Sequence, residues 1–155
     1  MSLFNKLFGN STPKIECPRC LGKGIVTMED IKRLKRELKW KPGTCAYCSG
    51  TGKIKTEWME NVPVDTTHLS TSITGREIMK LRKGDKEALE RAKQWDLETD
   101  KMIQLIQSFY LDQKMDAARI ANYFFETCPN AYTKAYFKNE LIEFIHKVIA
   151  YSKRN

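Results

Sequence analysis

The 155-residue chain is 41% hydrophobic and 30% charged, proportions of a folded protein that exclude wholesale disorder. No apolar run approaches the ~20 residues needed to cross a membrane as a helix. The net charge of +8 is uneven: residues 1–60 carry twelve Lys/Arg against six Asp/Glu, and residues 61–155 fifteen against thirteen, which permits an acidic protein or a nucleic acid as partner and requires neither.

Residues 1–13 read as an N-terminal tail ending at Ser11-Thr12-Pro13. Leu3, Phe4, Leu7 and Phe8 share one face of a two-turn helix. Stable membrane anchoring needs more apolar area or a second signal, so the tail reads as a frayed end or a helix docked on the protein. The stretch lacks the basic region and cleavage site of a signal peptide, and a cytoplasmic location is the default expectation.

Residues 14–58 hold a cysteine module built from two similar halves. The first is Cys17-Pro18-Arg19-Cys20-Leu21-Gly22-Lys23-Gly24 and the second Cys45-Ala46-Tyr47-Cys48-Ser49-Gly50-Thr51-Gly52. Each precedes a strand-like run, Ile25-Val26-Thr27 or Lys53-Ile54-Lys55-Thr56. Between the halves, Ile31, Leu34 and Leu38 recur at helical spacing, predicting a helix over Met28 to Lys41. Thr27 with Asp30 offers a reciprocal cap, and Pro42-Gly43 a stop. The other helix face would carry Lys32, Arg33, Lys35, Arg36 and Lys39.

In a reducing compartment two Cys-x-x-Cys pairs read as a metal site before disulfides. Two intervening residues let the chain turn so that both sulfurs face one ion, and two such turns complete a tetrahedral thiolate shell with no position left for water. Cys17, Cys20, Cys45 and Cys48 are therefore the expected ligands of one structural Zn2+. Gly22, Gly24, Gly50 and Gly52 supply positive φ or close backbone approach, leaving N–H groups free to donate to sulfur. With few large apolar side chains of its own, the module is expected to unfold without metal.

Residues 59–73, rich in Thr, Ser, Val and Pro, read as a linker or an extended packing segment. Residues 74–155 read as helical. Thr74 and Glu77 form a capping box for a short helix closed near Gly84. Asp85 caps the next helix, with an interruption expected over Asp96 to Asp100. A further helix is expected from about Asp112 to Thr127, and a last one carries Phe137, Leu141, Ile145 and Val148. Short connections imply antiparallel neighbours. The expected fold is α+β, mainly α: a small zinc-bound β-hairpin module with an inserted helix, followed by an antiparallel helical bundle.

The repeated Cys-x-x-Cys-x-Gly-x-Gly motif resembles the cysteine-rich zinc domain of DnaJ-type co-chaperones, over about residues 15–56. That family carries four repeats and two zinc ions, so two repeats imply one ion, with Cys17, Cys20, Cys45 and Cys48 carried over as ligands. The resemblance also implies a twisted β-hairpin architecture and a protein-binding role. A J domain is not present: neither His68 nor His146 is followed by the Pro-Asp of its signature. The helical C-terminal half is also unlike the family's β-rich substrate-binding domains. The two-repeat hairpin is similar to those of anti-TRAP and of free-standing plant assembly chaperones, which again implies contact with protein.

Three functions compete. The first is a non-enzymatic, chaperone-like adaptor that binds a protein client. The second is a nucleic-acid-binding regulator using Lys32, Arg33, Lys35, Arg36 and Lys39, with Trp40 and Tyr47 stacking on bases. The third is a thiol–disulfide oxidoreductase, which requires an accessible, low-pKa thiolate that a filled zinc site suppresses. The sequence holds no phosphate loop, no His-Glu-x-x-His and no Gly-x-Ser-x-Gly, and no catalytic residue is expected. His68 and the lone Cys128 have no partner at motif spacing. The aromatic residues of the helical half read as core, and any exposed remainder would serve a homo-oligomer or a partner groove.

Overall fold

The computed structural model describes residues 13–69, 73–131 and 135–154. The apolar face expected on the tail falls outside them. The chain forms two compact units, the first ending at Asp96 and the second running from Leu97. The fold is mainly α with short antiparallel ribbons, as the sequence implied.

In the first unit, β1 (Lys14–Glu16) pairs antiparallel with β4 (Lys53–Lys55), in the register Lys14 to Lys55, Ile15 to Ile54 and Glu16 to Lys53. β2 (Ile25–Val26) pairs with β3 (Gly43–Thr44). Each ribbon thus joins the strand before one cysteine repeat to the strand after the other. Alternation across the pleat turns Ile54 and Val26 inward while the lysines of β4 face away from the core.

Helix α1 (Met28–Arg33) begins as the sequence predicts. Thr27 Oγ1 accepts from Asp30 N at 3.4 Å, and Asp30 Oδ2 accepts from Thr27 N at 2.9 Å. The helix is shorter than the expected span to Lys41. Lys35 takes a left-handed conformation (φ 54°); its N–H donates to Lys32 O, and Arg36 N donates to Ile31 O at 2.9 Å. That pairing closes the helix and turns Arg36 onto Asp65, with which it forms an ion pair.

Asp30 is buried and receives Lys23 Nζ at 2.6 Å as well as the Thr27 donors. Burial pushes its carboxyl up, but the bonds from Lys23 and Thr27 outweigh that and hold it at about 2. A depressed folded pKa stabilises above the unfolded value and is lost as pH falls through the folded one. Asp30→Asn is therefore expected to cost about 2 kcal/mol at pH 7. Urea unfolding of both proteins should show the difference constant above pH ~5 and shrinking between about pH 4 and 2.

The segment read as a linker packs against the cysteine module. After α2 (Glu57–Asn61), Val62, Thr66, Thr67 and Leu69 are buried. Helix α3 (Gly75–Arg82) starts at Thr74, which accepts from Glu77 N, and the chain turns at Gly84 (φ 73°). Helix α4 runs Lys86–Leu111, its start capped by Asp85. Ile78, Leu81, Ala88 and Ala92 share a core with the cysteines, Trp40 and Ile54. The compact unit therefore extends to Asp96, past the expected boundary at 73/74.

The break expected over Asp96 to Asp100 does not occur. No Gly or Pro lies there, and the Asp96 carboxylate accepts from Thr66 Oγ1 and Thr67 N instead of competing for its own backbone.

In the second unit, α4 ends near Leu111, and Lys114 (φ 55°) turns the chain. Helix α5 (Ala117–Thr127) then starts from an Asp116 cap, later than the expected Asp112. Helix α6 spans Ala135–Ser152. Ile103, Ile106 and Phe109 of α4 are buried, as are Ile120 and Phe124 of α5 and Leu141, Ile145 and Val148 of α6. Phe109 meets Tyr123 edge-on with centroids 4.7 Å apart, and Gln107 donates to Ser152 Oγ. No helix among the described residues is long and apolar enough to cross a membrane.

Candidate metal centre

Each cysteine repeat folds as a tight knuckle. Gly22 N donates to Cys17 O and Lys23 N to Cys20 O; Gly50 N donates to Cys45 O and Thr51 N to Cys48 O. The knuckles are cross-linked by Cys17 N to Gly52 O at 2.8 Å and Cys45 N to Gly24 O at 2.9 Å. Gly24 N and Gly52 N point at sulfur, 3.2 Å from Cys20 Sγ and 3.3 Å from Cys48 Sγ. The two repeats thus make equivalent bonds.

This closeness explains two of the motif glycines. A Cβ on Gly52 would lie 2.1 Å from Gly22 O, and one on Gly24 would lie 2.4 Å from Gly50 O. Both clashes are with backbone, and both positions have positive φ. A Cβ on Gly22 would come no nearer than 3.5 Å to Glu16. Gly52→Ala and Gly24→Ala should each cost about 3 kcal/mol, against about 1 kcal/mol for Gly22→Ala, where only the left-handed φ is penalised. Urea unfolding of the three zinc-loaded variants checks the order.

Cys17, Cys20, Cys45 and Cys48 are buried, with their sulfurs all within 4.8 Å of one another. Cys17 Sγ and Cys45 Sγ are 3.8 Å apart, as are Cys20 Sγ and Cys48 Sγ. A tetrahedron with zinc–sulfur bonds of about 2.3 Å has edges of about 3.8 Å. The donor set fits a single zinc ion, which these four residues would hold. Zinc supplies structural cross-linking in such a shell. Without it, burial pushes the Cys20 thiol up, and contact with Cys17 together with burial does the same to Cys45. A bound cation reverses this by deprotonating its ligands.

Four thiolates and one divalent zinc carry a net charge of −2, and two arginines answer it. Arg19 is 2% exposed. It donates through Nε to Val64 O (2.7 Å), through Nη1 to Leu69 O (2.7 Å) and through Nη2 to Thr66 O (3.0 Å). Its guanidinium lies 4.3 Å from the Trp40 ring centroid and 5.1 Å from that of Tyr47. Burial lowers its pKa to about 10 while Cys45 and Cys17 favour the charged form, so it remains a cation at neutral pH. Arg82 repeats the arrangement: it covers Trp58 at 3.8 Å and donates to Tyr47 O at 2.6 Å. Burial lowers its pKa as well, opposed first by Cys48.

The residues expected to meet a partner divide. Tyr47 is buried, donates to Val62 O at 2.8 Å, and is pushed up to about 12 by burial. Trp40 is buried over Arg19. Arg33 donates to Pro18 O and Arg19 O, and Arg36 holds Asp65 through its side chain and carbonyl. Lys39 is half-buried, while Lys32 and Lys35 are exposed. The expected continuous basic face is thus broken, because α1 ends at Arg33 and both arginines of that face, Arg33 and Arg36, brace the fold. His68 lies 3.5 Å from Glu77, which also binds Arg91. Cys128 is exposed at the end of α5.

Arg19 and Arg82 were not among the expected site residues. Arg19 carried a signal, as the charged residue inside a Cys-x-x-Cys pair. Arg82 had none, because it is brought to the second knuckle from 33 residues away.

Two glycine-locked knuckles around a buried four-thiolate shell define a structural-zinc protein, with the metal module built into a larger unit and followed by a helical one. The chain matches no protein-family model, no curated protein and no solved structure.

Proposed function

We propose that the chain is a non-enzymatic, zinc-structured adaptor that binds another protein through its cysteine module, as a two-repeat form of the DnaJ-type zinc domain acting in the cytoplasm. The observation that carries this reading is apolar exposure on a rigid frame. Leu21, Ile25 and Met28 are 55, 53 and 47% exposed, on the first knuckle, β2 and the start of α1. Exposed apolar side chains fixed by a metal-locked backbone suit a protein contact, because little conformational freedom remains to be lost on binding. The buried thiols support a structural role over a redox one, since exchange needs an accessible thiolate.

The test is capture from nuclease-treated native lysate by zinc-loaded wild type and by Leu21→Glu/Ile25→Glu. Both positions are exposed, so zinc content should be unchanged. A protein held by the wild type and lost from the variant supports the reading. Equal capture by both proteins, or no protein held specifically, defeats it.

A further inference from the structure

A second surface of the first unit uses other residues. A cleft of about 320 Å³ opens between the β1–β4 ribbon, the second knuckle, Trp58 of α2 and Arg82 of α3. Its cations are Lys14, Lys53, Lys55 and Arg82; among the described residues no carboxylate lines it, and the zinc ligand Cys48 stands at its wall. Lys14 and Lys55 face each other across the ribbon, a pairing of like charges that destabilises a sheet. Within the fold the compensation is slight. Lys55 lies 3.7 Å from the exposed Glu57, a weak surface pair. Glu16 is the cross-strand partner of Lys53 and the one carboxylate of the ribbon, with its carboxyl also beside Gly22 of the first knuckle. Arg82 gives Nη2 to Tyr47 O and Ser49 Oγ, while its buried Nε–H has no partner among the described residues.

The charge of the whole unit agrees. Residues 1–96 carry 19 Lys/Arg against 12 Asp/Glu, and residues 97–155 eight against seven. Even after −2 for a filled zinc site, the first unit keeps an excess of +5.

We infer that this cleft binds single-stranded nucleic acid, with Lys14, Lys53, Lys55 and Arg82 on backbone phosphates. Lysine is depleted in protein–protein contacts, which centre on apolar anchors; the aliphatic side chain here, Ile54, is 1% exposed. Phosphate contacts instead recruit lysine, arginine and hydroxyl groups together. Lysine stems give apolar walls for a base beneath cationic heads, and the Trp58 ring, already under Arg82, backs them.

The probe is a fluorescein-labelled oligothymidylate of about twelve nucleotides, titrated with the zinc-loaded full chain by anisotropy at several salt concentrations. Log K should fall against log salt with a slope of about −2 to −3, roughly 0.7 for each phosphate met. Lys14→Ala/Lys53→Ala should weaken binding roughly tenfold at low salt and flatten the slope by about 1.4. Lys14→Arg/Lys53→Arg should restore both, and Lys32→Ala/Lys35→Ala should leave both unchanged. Zinc content and circular dichroism verify the fold of each variant. The proposal is overturned if wild type does not bind, or if the Lys14/Lys53 alanine variant binds as wild type does. Equal competition by a polyglutamate peptide of matching charge also overturns it, in favour of an acidic protein. None of these outcomes depends on whether Leu21 and Ile25 bind a protein.

Discussion

Replacing Cys45 by serine is expected to abolish stable zinc binding and to unfold the first unit while leaving the helices of the second in place. Structural zinc contributes ~10–16 kcal/mol in small peptides, more than the whole stability of an ordinary domain. Two kinds of contact fail together. The knuckles lose the ion that holds ribbons of two and three residues, too short to persist alone. The buried Arg19 and the half-buried Arg82 lose the negative charge that offsets their desolvation. Near-ultraviolet circular dichroism should report the change, because Trp40, Tyr47 and Trp58 stack on those two arginines. Far-ultraviolet helicity should fall only in part, since the buried contacts among α4, α5 and α6 beyond Leu97 contain none of the zinc ligands. Chelation of the wild type should reproduce the result. A Cys45→Ser protein that keeps its near-ultraviolet signal would show that the core holds without metal.

Arg19→Ala should be the most damaging change outside the ligands, at about 3–5 kcal/mol, the cost of breaking a buried charged network from one side. It removes donors from Val64 O, Thr66 O and Leu69 O at once, and buried acceptors left unpaired are penalised individually. It also strips a neighbouring cation from the thiolates, so zinc affinity should fall by about 10–100-fold. Arg19→Lys should recover part of the affinity and little of the stability, because an ammonium keeps the charge but lacks the planar fork that reaches three carbonyls. Urea unfolding together with competition against a zinc chelator separates the two effects. Equal losses of zinc affinity in both variants would argue that packing against Trp40 and Tyr47, not charge, is what Arg19 supplies.

The arginine network also explains the segment 59–73, whose composition reads as non-helical. Residues 59–61 instead complete α2, and residues 62–69 behave as a strap. Tyr47 holds Val62 O, Arg19 holds three carbonyls, and Arg36 holds Asp65. From the other side, Asp96 takes Thr66 and Thr67. Within the segment Thr66 N donates to Pro63 O; its other buried carbonyls are accommodated because such donors meet them. Those donors come from residues up to 50 positions away, so nothing within the segment announces them.

By itself the sequence determined what depends on neighbours a few residues apart. Cys-x-x-Cys spacing sets a knuckle, the Thr27–Asp30 box and the Thr74 cap set helix starts, although the Glu77 carboxylate takes Arg91 instead of closing a box, and the apolar period of 74–155 sets helices. Each is decided by local backbone geometry. The end of α1 at Arg33, the unbroken run of α4 and the unit boundary at Asp96 were decided by tertiary contacts that outweigh weak local preferences. So were the burial of Tyr47 and Trp40 and the assembly of Lys14, Lys53, Lys55 and Arg82 into one cleft. Charge acts through space over several ångströms, and only the folded chain sets which distant residues come within that reach.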